Sequence, residues 1–201
     1  MAAGGHAAAG LKRIGGHPAL DFVNTIDWRG RAAAKDYLAS PAALVAWATG
    51  AGLPGTRAAA ARPSAALFKS AIALREAGHR LFRAAAAGKP GPAADLALVN
   101  RLLRRAAARR ALVPRGLGYV WLRAAPHEPL GPLLAMLAAA TAELLASPAL
   151  ARVRLCAGPG CGWLFLDESP NRSRRWCAME SCGNRAKGRR HYARRRAGAA
   201  A

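Results

Sequence analysis

The chain's four cysteines all fall within 27 of its 201 residues, as two equally spaced pairs, Cys156-x4-Cys161 and Cys177-x4-Cys182. Two such pairs can converge on a single ion. Zinc takes four tetrahedral ligands, and four thiolates make a closed structural site with no position left for a substrate. In a reducing compartment this clustering points to metal rather than to disulfides, with an iron–sulfur cluster or a thiol switch as alternatives. No carboxylate or histidine stands beside the pairs as a general base, so the reading is one structural zinc per chain and no enzyme.

The segment between the pairs must bring them together. Gly158, Pro159 and Gly160 allow a tight turn from Cys156 back to Cys161. Trp163-Leu164-Phe165-Leu166 reads as a strand, Asp167 to Asn171 as a polar turn, and Arg174-Arg175-Trp176 as the returning strand. Trp163, Phe165 and Trp176 supply a small apolar core. A segment this short cannot fold on its own burial, so the ion contributes much of its folding energy.

Directly after Cys182 comes a basic helix. With Cys182, Ala186 and Ala193 inward, a 100° periodicity puts Asn184, Gly188, His191 and Arg195 on the opposite face. Lys187, Arg190 and Arg194 lie on one flank, Arg185, Tyr192 and Arg196 on the other, and Arg189 near the inward edge. A helix in a DNA major groove has base-reading groups at its centre and phosphate-gripping cations on both sides. Arg174 and Arg175 join the candidate nucleic-acid contacts. A solvated arginine-rich face is the bland alternative on charge alone, and Tyr192 stacking on a base would favour RNA.

Charge supports a polyanionic partner. The net charge is +21, and residues 152–196 hold 12 basic and 3 acidic residues, more than twice the net positive density of the preceding 151. Such a surplus raises encounter rates with nucleic acid. The N-terminal stretch has no signal-peptide apolar core and no run is long enough to span a membrane, so a cytoplasmic protein is expected.

Upstream, residues 1–10 read as a disordered tail and 11–149 as a mainly helical domain with a few strands. Residues 150–196 read as a separate zinc-ribbon or treble-clef-like module ending in the basic helix, and 197–201 as a tail. The fold class is therefore α+β. A short helix carries Leu20 and Val23. Ser40-Pro41 caps and starts the next, and Pro63-Ser64 opens a third that stops at Gly88. A fourth runs from about Ala93 to Arg110 with Leu96, Val99, Leu102 and Leu103 inward. Leu117 to Leu122 is the best strand, and a last helix spans about Leu133 to Ala146. His17, His79 and His127 read as surface or packing residues. Asp21 and Asn24 read as local capping or hydrogen-bonding groups. Lining of a small-molecule pocket, with Arg29 and Arg31 toward an anion, is the alternative.

Three strings carry a family resemblance: Cys156-x4-Cys161-Gly-Trp-Leu-Phe-Leu-Asp, Asn171-x2-Arg174-Arg175-Trp176-Cys177-x-Met179 and Cys182-Gly183-Asn184-Arg185-x-Lys187. They resemble the CGNR zinc finger. Leu20-Asp21-Phe22-Val23-Asn24-Thr25, Asp36-Tyr37-Leu38 and Ser40-Pro41…Trp47 are similar to the ABATE domain that accompanies it. The resemblance implies zinc on Cys156, Cys161, Cys177 and Cys182, a DNA-binding finger, and an N-terminal domain that senses a small ligand or mediates association, in a stress-induced transcription regulator. An RNA-binding or ribosome-associated zinc protein is the alternative, as is a ligand-binding domain with an accessory finger. One finger reads few base pairs, so a homodimer or a second contact is expected if specificity is high.

Overall fold

The computed structural model of the protein describes residues 8–53, 56, 64–108, 110–123 and 131–198. The helices form where the sequence supplies caps and an apolar stripe. Helix α1 (Pro18–Val23) has His17 as N-cap, its Nδ1 accepting from the Ala19 amide, and Pro18 in the first turn. Helix α2 (Pro41–Gly50) starts at Ser40, whose Oγ accepts from the Ala43 amide at 3.2 Å. Helix α3 (Ala65–Ala86) is capped by Ser64, and the chain leaves it through Gly88 at φ +65°, a left-handed position suited to glycine. Helix α4 (Ala93–Ala107) and helix α5 (Gly131–Ala146) complete the bundle.

Between α1 and α2, strands β1 (Ile26–Asp27) and β2 (Lys35–Asp36) pair antiparallel. This short ladder brings Asp36 to Arg75 on α3. The buried guanidinium of Arg75 takes both Asp36 oxygens at 2.7 Å and also reaches Glu76 and Thr25. Burial pushes the Asp36 carboxyl up, but the Arg75 hydrogen bonds and charge outweigh it and hold the group below the usual carboxylate range.

Three expectations meet corrections here. Helix α4 ends at Ala107, not Arg110, because Arg110–Arg115 forms strand β3 and pairs antiparallel with β4 (Gly118–Arg123). Pro114 cannot lie inside a helix, and Gly116-Leu117 turns the chain. Leu96, read as inward, is 47% exposed, whereas Val99 and Leu102 are buried. Ala8, read as part of the tail, is fully buried in the core. The backbone of Ala9 abuts Gly50 so closely that no Cβ would fit there. His127 lies outside the described residues.

A short 3-10 turn (Pro148–Arg152) leads into β5 (Val153–Leu155), which pairs antiparallel with β6 (Leu164–Leu166). Helix α6 (Asn184–Gly198) ends the described chain. The largest core lies among α2, α3, α4 and α5, with Phe22 and Leu38. A second core joins Val153, Leu164 and Leu166 to Leu20, Val23, Phe82 and Leu144. The β5–β6 hairpin thus buries Val153, Leu164 and Leu166 in the helical bundle, at about 1.5–3 kcal/mol each. No helix among the described residues is long and apolar enough to cross a membrane.

Candidate metal centre and its basic helix

The β5–β6 connection is itself the first cysteine knuckle. The Cys156 amide donates to Trp163 O and the Cys161 amide to Gly158 O, each at 2.9 Å. Gly160 and Gly162 both sit at φ +73°, a region that favours glycine. The second pair is built differently. Cys177 ends an irregular segment, and Cys182 lies in a π-helical turn (Met179–Gly183) that runs straight into α6.

The four sulfurs lie within 4.8 Å of one another, and all four residues are buried. Cys161 Sγ and Cys182 Sγ each lie 3.7 Å from Cys177 Sγ. A regular tetrahedron of zinc–sulfur bonds of about 2.3 Å has edges of about 3.8 Å, whereas a disulfide needs about 2.05 Å. The donor set therefore fits one zinc ion, bound by Cys156, Cys161, Cys177 and Cys182.

Donors surround the sulfurs. Arg185 places a guanidinium nitrogen 3.0 Å from Cys182 Sγ, and the amides of Cys177 and Gly158 point at Cys156 Sγ at 3.3 and 3.4 Å. They oppose the double negative charge of a zinc tetrathiolate and orient its ligands. Among the bare thiols, Cys156 ionises first, held low by hydrogen bonds from the Cys161 and Cys177 thiols and then by these amides. The same bonds push Cys161 and Cys177 upward.

Arg174-Arg175-Trp176 is not the returning strand that the sequence suggests; β6 takes β5 as its partner instead. The reason is Asp167, whose carboxylate accepts from the Ser169 amide, the Ser169 hydroxyl and the Arg174 amide, winding the segment into a loop. A single backbone bond, Ala157 N to Arg175 O at 2.9 Å, ties this loop to the first knuckle.

The candidate nucleic-acid residues separate into two groups. Arg174 is committed internally: its guanidinium lies 4.3 Å from the Phe165 ring centroid and donates to Trp176 O and Cys177 O. Arg185 braces Cys182 and lies over the Trp28 ring at 4.6 Å. Arg175 stays exposed beside Trp176. Asn184, Lys187, Arg189, Arg190, His191, Tyr192, Arg194, Arg195 and Arg196 are exposed on α6. Ala186 is buried as expected, but Ala193 is exposed: α6 leaves the body after its first turn, and among the described residues nothing covers its inward side there.

Residues outside the finger hold it in place. Asn24 makes two hydrogen bonds to the Leu164 backbone, so its bonding is not local; Asp21 does bond nearby, accepting from Gly15 N. The Trp163 indole donates to Ile26 O, Arg31 donates to Pro159 O, and His79 Nε2 meets Gly162 O at 2.9 Å. Arg29 pairs with Glu76 and donates to Val23 O rather than facing an anion pocket. Trp28, at φ +57°, lies under both Arg31 and Arg185. Its part in the finger was hidden in the sequence because no local periodicity marks a contact with Arg185, 157 positions away.

A four-thiolate centre shared between a hairpin and a π-helical turn, seated on a helical domain and continued by a cationic helix, defines a zinc-finger protein with a fused N-terminal domain. Residues 16–148 match the ABATE family, described as "Putative stress-induced transcription regulator", and residues 152–195 match the CGNR zinc finger. The chain belongs to the ABATE family and carries a CGNR finger. Neither family is enzymatic. No curated protein matches the chain. The four letters of the finger's name have separate geometric roles here. Cys182 is a ligand. A Cβ on Gly183 would strike the Met179 sulfur. Asn184 Nδ2 reaches Glu180 O at 3.4 Å, and Arg185 braces the Cys182 sulfur.

Proposed function

We propose that this protein is a DNA-binding transcription regulator of the cytoplasm, found at the nucleoid when bound. Zinc positions α6, and α6 enters the major groove. The observation that carries this reading is the state of the α6 cations. Lys187, Arg189, Arg190, Arg194, Arg195 and Arg196 are exposed and have no ion pair among the described residues. Like charges three and four positions apart destabilise a helix, and Gly188 weakens it further. Phosphates along a groove relieve that repulsion, with Asn184, His191 and Arg195 turned to the bases and the remaining cations to the backbone.

The N-terminal domain modulates this activity by taking a small ligand. A cavity of about 570 Å³ between α4 and α5 supports that part of the reading, with Leu102, Leu134, Met136 and Ala139 in an apolar wall and Glu143 and Arg110 among the polar groups. Selection of bound duplexes from a random pool, with RNA competitors and the zinc-loaded protein, tests the central claim. Enrichment of a short duplex motif supports it; displacement by RNA at equal concentration overturns it in favour of an RNA-binding protein.

A further inference from the structure

Beyond Arg110, which borders the α4–α5 cavity, the β3–β4 hairpin has little to pack on among the described residues. Its two strands pair over six residues each, closed by the two-residue loop Gly116-Leu117 with Gly116 at φ +62°. No residue of the hairpin belongs to any of the three cores. The register puts Leu112 opposite Trp121 and Pro114 opposite Tyr119, all on one face. That face is bare: Tyr119 is 70% and Trp121 66% exposed. An isolated two-stranded hairpin is marginal in water, and two exposed aromatic rings on it are a cost unless something covers them.

Charge decides what covers them. Between Asp95 and Glu128 the chain carries seven arginines and no acidic residue. Three of these, Arg110, Arg115 and Arg123, lie in the hairpin strands. A second copy of the same arm would bring cation against cation. A polyanion with open ring faces satisfies both the arginines and the aromatics, and single-stranded nucleic acid has both properties: phosphates for the cations, and unpaired bases to stack on the rings. Duplex DNA offers the phosphates, but its bases are already stacked.

We propose that the β3–β4 hairpin is a second DNA contact, in which Tyr119 and Trp121 stack unpaired bases of a single strand while Arg110, on the same face, and Arg115 hold its phosphates. The proposal rests on the DNA-binding reading above and adds a site to it.

The test uses the full zinc-loaded chain and a single-stranded DNA oligonucleotide. Trp47 and Trp163 are buried and Trp28 and Trp176 half-buried, so Trp121 is the tryptophan that stacking can quench most directly. Titration is expected to quench the intrinsic fluorescence. Trp121→Ala is expected to abolish most of the quench and weaken single-strand binding about tenfold, the effect of losing one stacked base. Trp121→Phe is expected to restore most of the affinity, and zinc content should be unchanged in both. Unchanged binding by a Tyr119→Ala/Trp121→Ala protein would overturn the proposal. So would DNA-free self-association that Trp121→Ala abolishes, or tighter binding of an RNA of the same sequence. A protein with Arg190, Arg194 and Arg195 changed to Ala separates the two sites. It should lose duplex binding and keep the quench. If duplex binding survives in it, the groove-reading role of α6 falls while the hairpin result stands.

Discussion

Asn24 and Leu164 are joined as two strand neighbours would be. Asn24 Nδ2 donates to Leu164 O at 2.8 Å and Asn24 Oδ1 accepts from Leu164 N at 2.9 Å, across 140 residues. Both residues are buried. One side-chain amide satisfies the exposed edge of β6 and fastens the finger hairpin to α1. Asn24→Ala strips two buried backbone groups of their partners at once and is expected to cost about 2–4 kcal/mol. Denaturant unfolding of the zinc-loaded protein measures it; a loss below about 1 kcal/mol would mean that water replaces the amide.

Because the hairpin shares a core with the bundle, zinc should stabilise both. One zinc per chain is expected by metal analysis, and Cys177→Ser should lose it. Chelation should lower the melting temperature of the far-upstream helices together with the finger, in one transition. A fully loaded Cys177→Ser protein would refute the ligand set, and an unshifted helical transition would refute the coupling.

Gly158 lies in the first knuckle against Cys182 of the second. A Cβ there would lie 2.9 Å from Cys182 Sγ and 3.3 Å from Cys161 Cβ. Gly158→Ala must push a ligand out of place, a strain of about 1–3 kcal/mol. Zinc affinity measured against a competing chelator should fall at least tenfold with the fold retained. Equal affinity would show that the knuckle relaxes freely.

His79 is pushed down to about 4 by burial and then by the Arg29 charge, with its bond to Gly162 O opposing the shift. The carbonyl only accepts, so the neutral ring donates its Nε2–H. In the unfolded chain the ring titrates near 6.5. As pH falls, the unfolded state therefore binds the proton first. This contribution is complete above about 6.5 and is lost progressively as pH drops toward 4. His79→Gln keeps a donor without the titration, so its stability should fall less steeply over that window than the native chain's. Parallel profiles would assign the acid sensitivity elsewhere.

On α6, Arg194 is exposed and unpaired among the described residues. Arg194→Ala is expected to weaken duplex binding on all sequences alike and to reduce the salt slope by ~1. Binding isotherms at several salt concentrations check this, and an unchanged slope removes Arg194 from the phosphate contacts.

Much of the local structure was legible because its causes are local. Ser40-Pro41, Ser64 and Gly88 mark helix ends by chemistry contained in a few neighbouring residues, and the cysteine spacing declares a tetrahedral site whatever surrounds it. The same was true of the basic helix, whose charges need no partner within the chain. What lay beyond reach depended on partners far away in sequence. The strand pairing of β6 turned on whether Val153–Leu155 or Arg174–Trp176 was free to pair with it, and Asp167 removed the second candidate by winding it into a loop. Ala193 looked inward by periodicity, yet periodicity says which residues share a face and not whether anything covers that face. Asn24 and His79 carried no mark of the finger they hold, because a hydrogen bond to a backbone carbonyl is blind to the identity of the residue it meets, and Trp28 carried none because Arg185 lies far along the chain. The residue types set which ion could be held and which polymer attracted. Only the packing of an eight-residue connection, 156–163, against α3 and the segment from Ile26 to Arg31 decided where that ion sits and which cations reach outward.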